Sequence, residues 1–215
     1  MKKIILNIIF FITSFNFAQP DSISLVLLKD IIPNVVIELK YATTDNVFNN
    51  TKLYESNKCY VLKSLAVRLK KVQDSLNNIK IFNSKSYPKG LGLKIWDGYR
   101  PLSVQKKMFA MFPDPTFVAD PKRGSSHNRG GAVDLTIINL LTGKELKMPT
   151  KFDDFTKIAS HNYPADSLSE EVAANRNLLK SLMLEVGGID FYIDEWWHYQ
   201  LFDNKKYPLL DFQIK

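Results

Sequence analysis

The sequence is poor in the residues that most often crosslink small exported domains or bind metals. It has one cysteine, Cys59, and three histidines among 215 residues. A single cysteine excludes an intramolecular disulfide and any metal site built from a cysteine cluster. Stability must therefore come from core packing, helped at most by a metal ion that binds other side chains.

Long apolar runs and dense basic stretches are also missing from most of the chain. The one long apolar run lies at the N-terminus, and no later stretch approaches the length of a membrane span. The formal charge is +7, but the lysines are scattered and are not interleaved with aromatic residues. Nucleic acid is therefore not an expected partner. With 45% hydrophobic and 24% charged residues, the composition is that of an ordinary globular domain with a real core.

The N-terminal segment has the pattern of a secretory signal. Lys2 and Lys3 precede the apolar run, and the small residue Ala18 stands at its end. A basic start, a short apolar core and a small final residue are typical of a cleaved signal peptide. We predict a signal peptide over residues 1–18 and a mature domain over residues 19–215. The mature protein is expected to be exported to the periplasm without stable membrane insertion, and an uncleaved anchor is the alternative.

The hydrophobic periodicity predicts one α+β domain. Apolar residues recur at helical spacing over 61–76. Further helices are predicted over 103–112, after Pro101, over 152–160, and over 169–186, which has acidic residues in its first turn and glycines at its end. Four further segments have the apolar character of strands: 91–96, 130–138, 189–193 and 196–202. Residues 113–126 contain three prolines and are predicted to form a loop long enough to be functional. We expect helices packed on a mostly antiparallel sheet.

Two of the three histidines lie in segments rich in chemically active residues. One segment, residues 125–134, reads SSHNRGGAVD, and the other, residues 195–198, reads EWWH. The paired glycines permit a sharp turn between His127 and the strand that carries Asp134. A carboxylate on an otherwise apolar strand needs compensation when it is buried, and a metal ion provides it.

These residues together predict a zinc site. Two histidines and one carboxylate form a standard zinc set that leaves one position for water. We assign His127, Asp134 and His198 to one zinc ion per chain. Glu195 would then take a proton from the water that the zinc activates. Spacing alone leaves a structural role open for each residue, as a core or surface histidine or as an aspartate that caps a turn.

Several further motifs follow one another in a fixed order along the chain. They are KYAT at 40–43, WDGYRP at 96–101, the metal motif at 125–134, FD at 152–153 and EWWHY at 195–199. This series resembles that of the D-alanyl-D-alanine dipeptidases of the M15 peptidase group, the kind used in vancomycin resistance. The resemblance covers nearly the whole mature chain. It implies the fold of the M15 and hedgehog-like zinc peptidases and hydrolysis of a small D-amino dipeptide in cell-wall turnover.

The resemblance also implies catalytic roles. Glu195 would act as general base and later as proton donor. Arg100 would stabilise the oxyanion that forms at the scissile carbonyl. A surface salt bridge between Arg100 and Asp97 is the alternative for this arginine.

Three more residues match substrate-binding positions of the family. They are Tyr41, Ser125 and Asp153. Asp153 would meet the ammonium group of the dipeptide, and Ser125 would bond near its carboxylate. Asp154 is the alternative to Asp153 if the local register differs.

The sequence departs from the family pattern in places that concern the pocket wall. Met148-Pro149-Thr150 stands where the dipeptidases usually have Met-Gly-Thr or Met-Gly-Ser, and the loop 113–126 is shorter than in the resistance enzymes. A D,D- or L,D-carboxypeptidase acting on peptidoglycan stem peptides therefore stays open, since it needs an open cleft. A non-catalytic zinc-containing binding module is a further alternative, which the presence of Glu195 and Arg100 disfavours.

Overall fold

The computed structural model describes residues 24–48 and 50–215. The predicted signal peptide lies outside these residues, so that prediction stays untested. The described residues form nine strands: β1 (Leu25–Leu27), β2 (Val36–Ile37), β3 (Tyr60–Leu62), β4 (Ile81–Phe82), β5 (Lys85–Ser86), β6 (Leu91–Asp97), β7 (Ala132–Asn139), β8 (Asp190–Phe191) and β9 (His198–Gln200). They also form four α-helices: α1 (Leu28–Ile31), α2 (Lys63–Asn77), α3 (Leu102–Met111) and α4 (Glu170–Ser181). Among these residues no helix combines the length and apolar character needed to cross a membrane.

A five-stranded sheet with the order β2-β6-β7-β9-β8 forms the centre of the fold. Strand β2 runs parallel to β6, and the other neighbours are antiparallel. The predicted α+β fold with a mostly antiparallel sheet is therefore confirmed. The central strands β6 and β7 are buried along nearly their whole length, which explains why they read as continuous apolar runs.

Helix α2 packs against β6 of this sheet through the apolar face that the sequence predicted. Its residues Leu65, Leu69, Val72 and Leu76 are fully buried. The helix begins two residues later than predicted because Tyr60–Leu62 pair with β1 as strand β3. The predicted helix over 169–186 is also confirmed as α4, although its last part, Leu182–Val186, is a π-helical turn.

The predicted helix over 152–160 is wrong along most of its length. Only Lys157–Ala159 form a single 3-10 turn. Asp153 has a φ of 56°, a left-handed conformation that does not occur within a right-handed helix. Phe152 packs on Trp96 and Trp197, with ring centroids 5.2 and 5.6 Å away. This aromatic contact with the sheet competes with helix formation and presents Asp153 at the edge of the site.

Candidate active site

The three predicted metal ligands converge because of the strand pairing. Asp134 on β7 and His198 on β9 are direct partners in the antiparallel register. Side chains that lie directly opposite each other on neighbouring strands are close enough to interact. His127 comes from the 3-10 turn His127–Arg129 before β7, and Gly130 ends that turn with a φ of 68°. The glycine thus supplies the sharp turn that the sequence predicted.

The ligand atoms are spaced as a small cation requires. Nε2 of His127 lies 3.4 Å from Oδ2 of Asp134, and Nδ1 of His198 lies 3.1 Å from Oδ1 of the same carboxylate. The two ring nitrogens are 3.2 Å apart. Ligand atoms that sit about 2.0–2.1 Å from a tetrahedral ion lie roughly 3.3 Å from one another. These three residues could therefore hold one metal ion and leave a fourth position free.

Neighbouring acceptors orient both histidine rings towards this point. Nδ1 of His127 lies 2.7 Å from the backbone oxygen of Gly98, which requires a proton on Nδ1 and leaves the lone pair of Nε2 for a metal. Nε2 of His198 lies 3.4 Å from Oε1 of Gln200. A proton on Nε2 likewise leaves Nδ1 of His198 free to bind.

The charges of the cluster also favour a cation. Burial acts to raise the pKa of Asp134, but the adjacent His127 and His198 hold it well below its ordinary range. Burial acts to lower the pKa of His127, and the charge of Asp134 outweighs this effect and raises the pKa overall. The carboxylate thus draws positive charge to the cluster, and a metal ion can replace the proton that His127 would otherwise bind.

Glu195 lies beside the cluster, with Oε2 3.8 Å from Nδ1 of His198. The strand predicted over 196–202 is shorter than expected and begins at His198. A bond of 3.2 Å from the backbone N–H of His198 to the backbone oxygen of Glu195 closes a turn. Two residues three positions apart therefore face the same point, as they would not in an extended strand. The fully buried Trp196 and Trp197 support this turn from behind.

The surroundings of Glu195 bring the pKa of its carboxyl group close to neutral pH. Burial raises the pKa of Glu195 to about 7, and the negative charges of Asp134 and Asp153 add to this against the opposing charge of His198. The side chain keeps 19% of its surface exposed, so water can reach it. A carboxyl group with these properties can accept and return a proton near pH 7.

Arg100 is buried and is held by Asp97 at the end of β6. Its Nε and Nη2 donate to Oδ2 of the fully buried Asp97 at 3.0 and 2.7 Å. Arg100 therefore does pair with Asp97, but this salt bridge is buried and not at the surface. Burial acts to lower the pKa of Arg100, but Asp97 holds it well above its ordinary range. The guanidinium lies 5.2 Å from the ring centre of Tyr41 and keeps its charge.

A single cavity of about 480 Å³ brings the predicted site residues together. This volume is within the usual range of small-molecule sites. All eight residues line it: Tyr41, Arg100, Ser125, His127, Asp134, Asp153, Glu195 and His198.

The structure distinguishes Asp153 from Asp154. The hydroxyl of Tyr41 donates to both oxygens of Asp153, at 3.2 and 3.0 Å. Burial raises the pKa of Asp153 to about 7, and the charge of Asp134 adds to the effect. Asp154 instead accepts a bond of 2.9 Å from the backbone N–H of Thr156 and does not line the cavity. Asp153, and not its alternative Asp154, therefore lies in the site.

Some residues that shape the site were not predicted from the sequence. Asn128 donates to the backbone oxygen of Arg100 at 2.9 Å and accepts from the backbone N–H of Ser125 at 2.8 Å. Its position inside the metal motif was a usable signal. Phe117 and Phe155 stack at 4.5 Å where two loops meet, and neither belongs to a motif.

The fold and the site together define the chain as a metal-dependent peptidase. It belongs to the M15 peptidase family, whose model, described as D-ala-D-ala dipeptidase, matches residues 21–214. It is 36% identical over 190 residues to the D-alanyl-D-alanine dipeptidase of Escherichia coli K12, covering 88% of this chain and 91% of that one. The dipeptidase of Enterococcus faecium is 34% identical over 218 residues, with coverages of 90% and 99%. That of Enterococcus faecalis V583 is 30% identical over 201 residues, with coverages of 84% and 92%.

Proposed function

We propose that this chain hydrolyses the dipeptide D-alanyl-D-alanine with one zinc ion held by His127, Asp134 and His198. The convergence of all eight predicted residues on one cavity carries this proposal. When bound through three protein ligands, zinc polarises a carbonyl oxygen and lowers the pKa of a coordinated water towards neutrality. The family membership and the donor set support a metal ion, and the tetrahedral spacing of the donors supports zinc.

The side chains of the cavity divide the remaining work. Glu195 accepts a proton from the attacking water and returns it to the leaving amine. Arg100 directs its positive charge at the carbonyl oxygen, where negative charge develops. Asp153 meets the ammonium group of the dipeptide, and this cation favours the carboxylate form of a group whose pKa burial has raised. Ser125 bonds near the carboxylate of the dipeptide.

Loss of the metal is expected to abolish the activity. Chelation should remove one zinc per chain and reduce D-Ala-D-Ala hydrolysis to background, and added zinc should restore it. The measurement is metal analysis together with dipeptidase assays.

His127→Ala should lose both metal and activity. His161→Phe is the matched control, because His161 packs against Phe191 outside the cluster and should leave the metal content unchanged. Fully active protein without metal would contradict the proposal.

Two stacked rings, Phe117 and Phe155, line one part of the cavity and are called the cover below. This cover favours a short substrate over a stem peptide. Phe117 lies in the loop that follows α3, and Phe155 lies between Phe152 and the 3-10 turn Lys157–Ala159. The two rings stack at 4.5 Å, and both line the cavity. Phe112 packs against the outside of this pair, with ring centroids 6.1 and 6.0 Å away. We infer that a peptide longer than two residues has to displace this contact.

Truncation of this aromatic pair is expected to relax the length limit. Phe117→Ala should raise the ratio of kcat/KM for a stem pentapeptide to that for D-Ala-D-Ala by up to about tenfold. The reason is that one aromatic pair contributes about 0.5–1.5 kcal/mol, and both rings of this pair are half-buried. Phe112→Ala is the control, since this ring joins the cluster without lining the cavity and should change the ratio much less. Wild-type protein that already cleaves the pentapeptide as efficiently as the dipeptide would favour the carboxypeptidase alternative.

We also propose that the chain acts in the periplasm after removal of residues 1–18. The basic start and the short apolar run of the N-terminus support export. A periplasmic dipeptidase would act on dipeptide released in the envelope, which fits turnover of cell-wall peptides. N-terminal sequencing of protein recovered from the cell envelope tests this proposal, and a mature chain that begins at Gln19 is expected.

A further inference from the structure

Gln105 connects the arginine of the site with the loop that covers the cavity. It lies on α3 and is fully buried. Its Oε1 accepts a bond of 2.8 Å from Nη1 of Arg100. Its Nε2 donates a bond of 2.8 Å to the backbone oxygen of Ala119. One side chain therefore contacts both the catalytic machinery and the loop that carries Phe117 of the cover.

Only one orientation of this amide satisfies both partners. A guanidinium can only donate, so it must meet the amide oxygen, and a backbone carbonyl can only accept, so it must meet the amide nitrogen. A flipped amide would place two donors together on one side and two acceptors on the other. The two partners therefore fix the orientation of the Gln105 amide between Arg100 and Ala119.

Asp97 alone does not fix the plane of the guanidinium. The bonds from Nε and Nη2 of Arg100 end on the same oxygen, Oδ2. The other oxygen of Asp97 accepts from the hydroxyl of Tyr54 at 2.7 Å and from the backbone N–H of Gly98 at 2.9 Å. A two-oxygen fork would hold the guanidinium at two points, whereas a single oxygen lets it rock. The bond from Nη1 to Gln105 supplies the second fixed point.

The hydrogen bond from Gln105 to Ala119 holds the turn 114–119, which carries Phe117 of the cover. The backbone N–H groups of Phe117 and Val118 donate to the oxygen of Asp114 at 3.1 and 2.9 Å and form a tight turn. Phe117, Val118 and Ala119 all line the cavity. The bond from Gln105 ties this turn to α3, next to Arg100.

We propose that Gln105 is a positioning residue that couples the closed cover to the orientation of Arg100. This inference rests on the proposed hydrolysis, in which Arg100 stabilises the developing oxyanion. When the turn 114–119 lies over the cavity, Gln105 holds the guanidinium in the plane that meets the carbonyl oxygen. When the turn lifts, that bond is lost and Arg100 rocks on Asp97.

The test compares two substitutions of Gln105 in the full-length, zinc-loaded protein. Gln105→Met keeps the length of the side chain and removes both hydrogen bonds. We expect kcat on D-Ala-D-Ala to fall by about 10- to 100-fold with KM changed less than about threefold, since slight misplacement of a catalytic group has effects of this size. Amide hydrogen exchange at Phe117 and Val118 should speed up by about tenfold or more as the turn loosens.

Gln105→Glu keeps an acceptor for Arg100 and removes the donor to Ala119. This variant should fold even if the methionine variant does not, because its carboxylate faces a cation. It should show the same faster exchange at Phe117 and Val118, and its kcat should fall because the added negative charge weakens the field of Arg100.

Gln73→Met is the matched control. Gln73 is also a fully buried amide on a helix, and it accepts a bond of 2.8 Å from the backbone N–H of Leu93, outside the cavity lining. The control should lower Tm but leave kcat within about twofold of wild type. Wild-type protein without hydrolysis of D-Ala-D-Ala would overturn the proposed function and, with it, the inference. Active wild-type protein with unchanged kcat in both Gln105 variants would overturn the inference alone, whether or not exchange at the turn rises.

Discussion

Replacement of Glu195 by glutamine is expected to lower kcat for D-Ala-D-Ala by about 10³-fold, in the range for loss of a general acid–base group. The amide cannot accept the proton of the attacking water. Its size matches that of the carboxylate, and Glu195 is not among the three residues that could hold the metal ion, so metal content and fold should be retained. Steady-state kinetics together with metal analysis on the same preparation provide the measurement.

The pH profile distinguishes a base from a residue that only shapes the pocket. Glu195 must be ionised to act, so wild-type kcat should fall as the pH drops below the pKa of its carboxyl group. The dipeptide must be saturating, because its ammonium group then keeps Asp153 ionised and the profile reports Glu195. Burial raises the pKa of Glu195 to about 7, and a bound cation would lower it, which places the acid limb at or below neutrality. In Glu195→Gln this limb should disappear. Glu185→Gln, an exposed glutamate on the π-helical turn, is the control and should keep both rate and profile. A Glu195→Gln variant as active as wild type would favour a different base.

The candidate metal set and its neighbouring glutamate could be predicted because each segment has local determinants and because the series of motifs resembles that of the M15 dipeptidases. Gly130 marks the turn that places His127 beside β7, and the alternation along β7 fixes the direction of Asp134. Two steps needed the structure. The pairing of β7 with β9 sets Asp134 opposite His198, and the turn closed by the backbone N–H of His198 on the backbone oxygen of Glu195 brings Glu195 to the same point.

Other parts of the site depend on contacts between distant segments and could not be predicted. The local pattern over 152–160 favoured a helix, but packing of Phe152 on Trp96 and Trp197 overrode that preference and held Asp153 in a left-handed conformation. Gln105 has no distinguishing neighbours in the sequence, because its role arises from two bonds across the fold. A single residue without a motif carries no signal for such a bond.

Arg100→Lys is expected to lower kcat by about 10²-fold to 10³-fold, as removal of an oxyanion-stabilising donor does in other hydrolases. Lysine keeps the positive charge that the fully buried Asp97 requires, so the variant should fold. It cannot reproduce the planar fork that contacts Asp97 and Gln105 together. The measurement is kcat, with KM expected to change little because the lost interaction acts in the transition state.

A matched arginine and a double variant make this result specific. Arg176 is also buried, and it donates to the backbone oxygen of Tyr163 at 2.8 Å outside the cavity, so Arg176→Lys should lower Tm without lowering kcat. If Gln105 acts through Arg100, the double variant Arg100→Lys/Gln105→Met should be scarcely slower than Arg100→Lys alone, because the guanidinium to be positioned is already gone. Additive losses would instead mean that Gln105 acts on the cover independently of Arg100. The cycle thus separates the catalytic contribution of the arginine from the positioning of its plane.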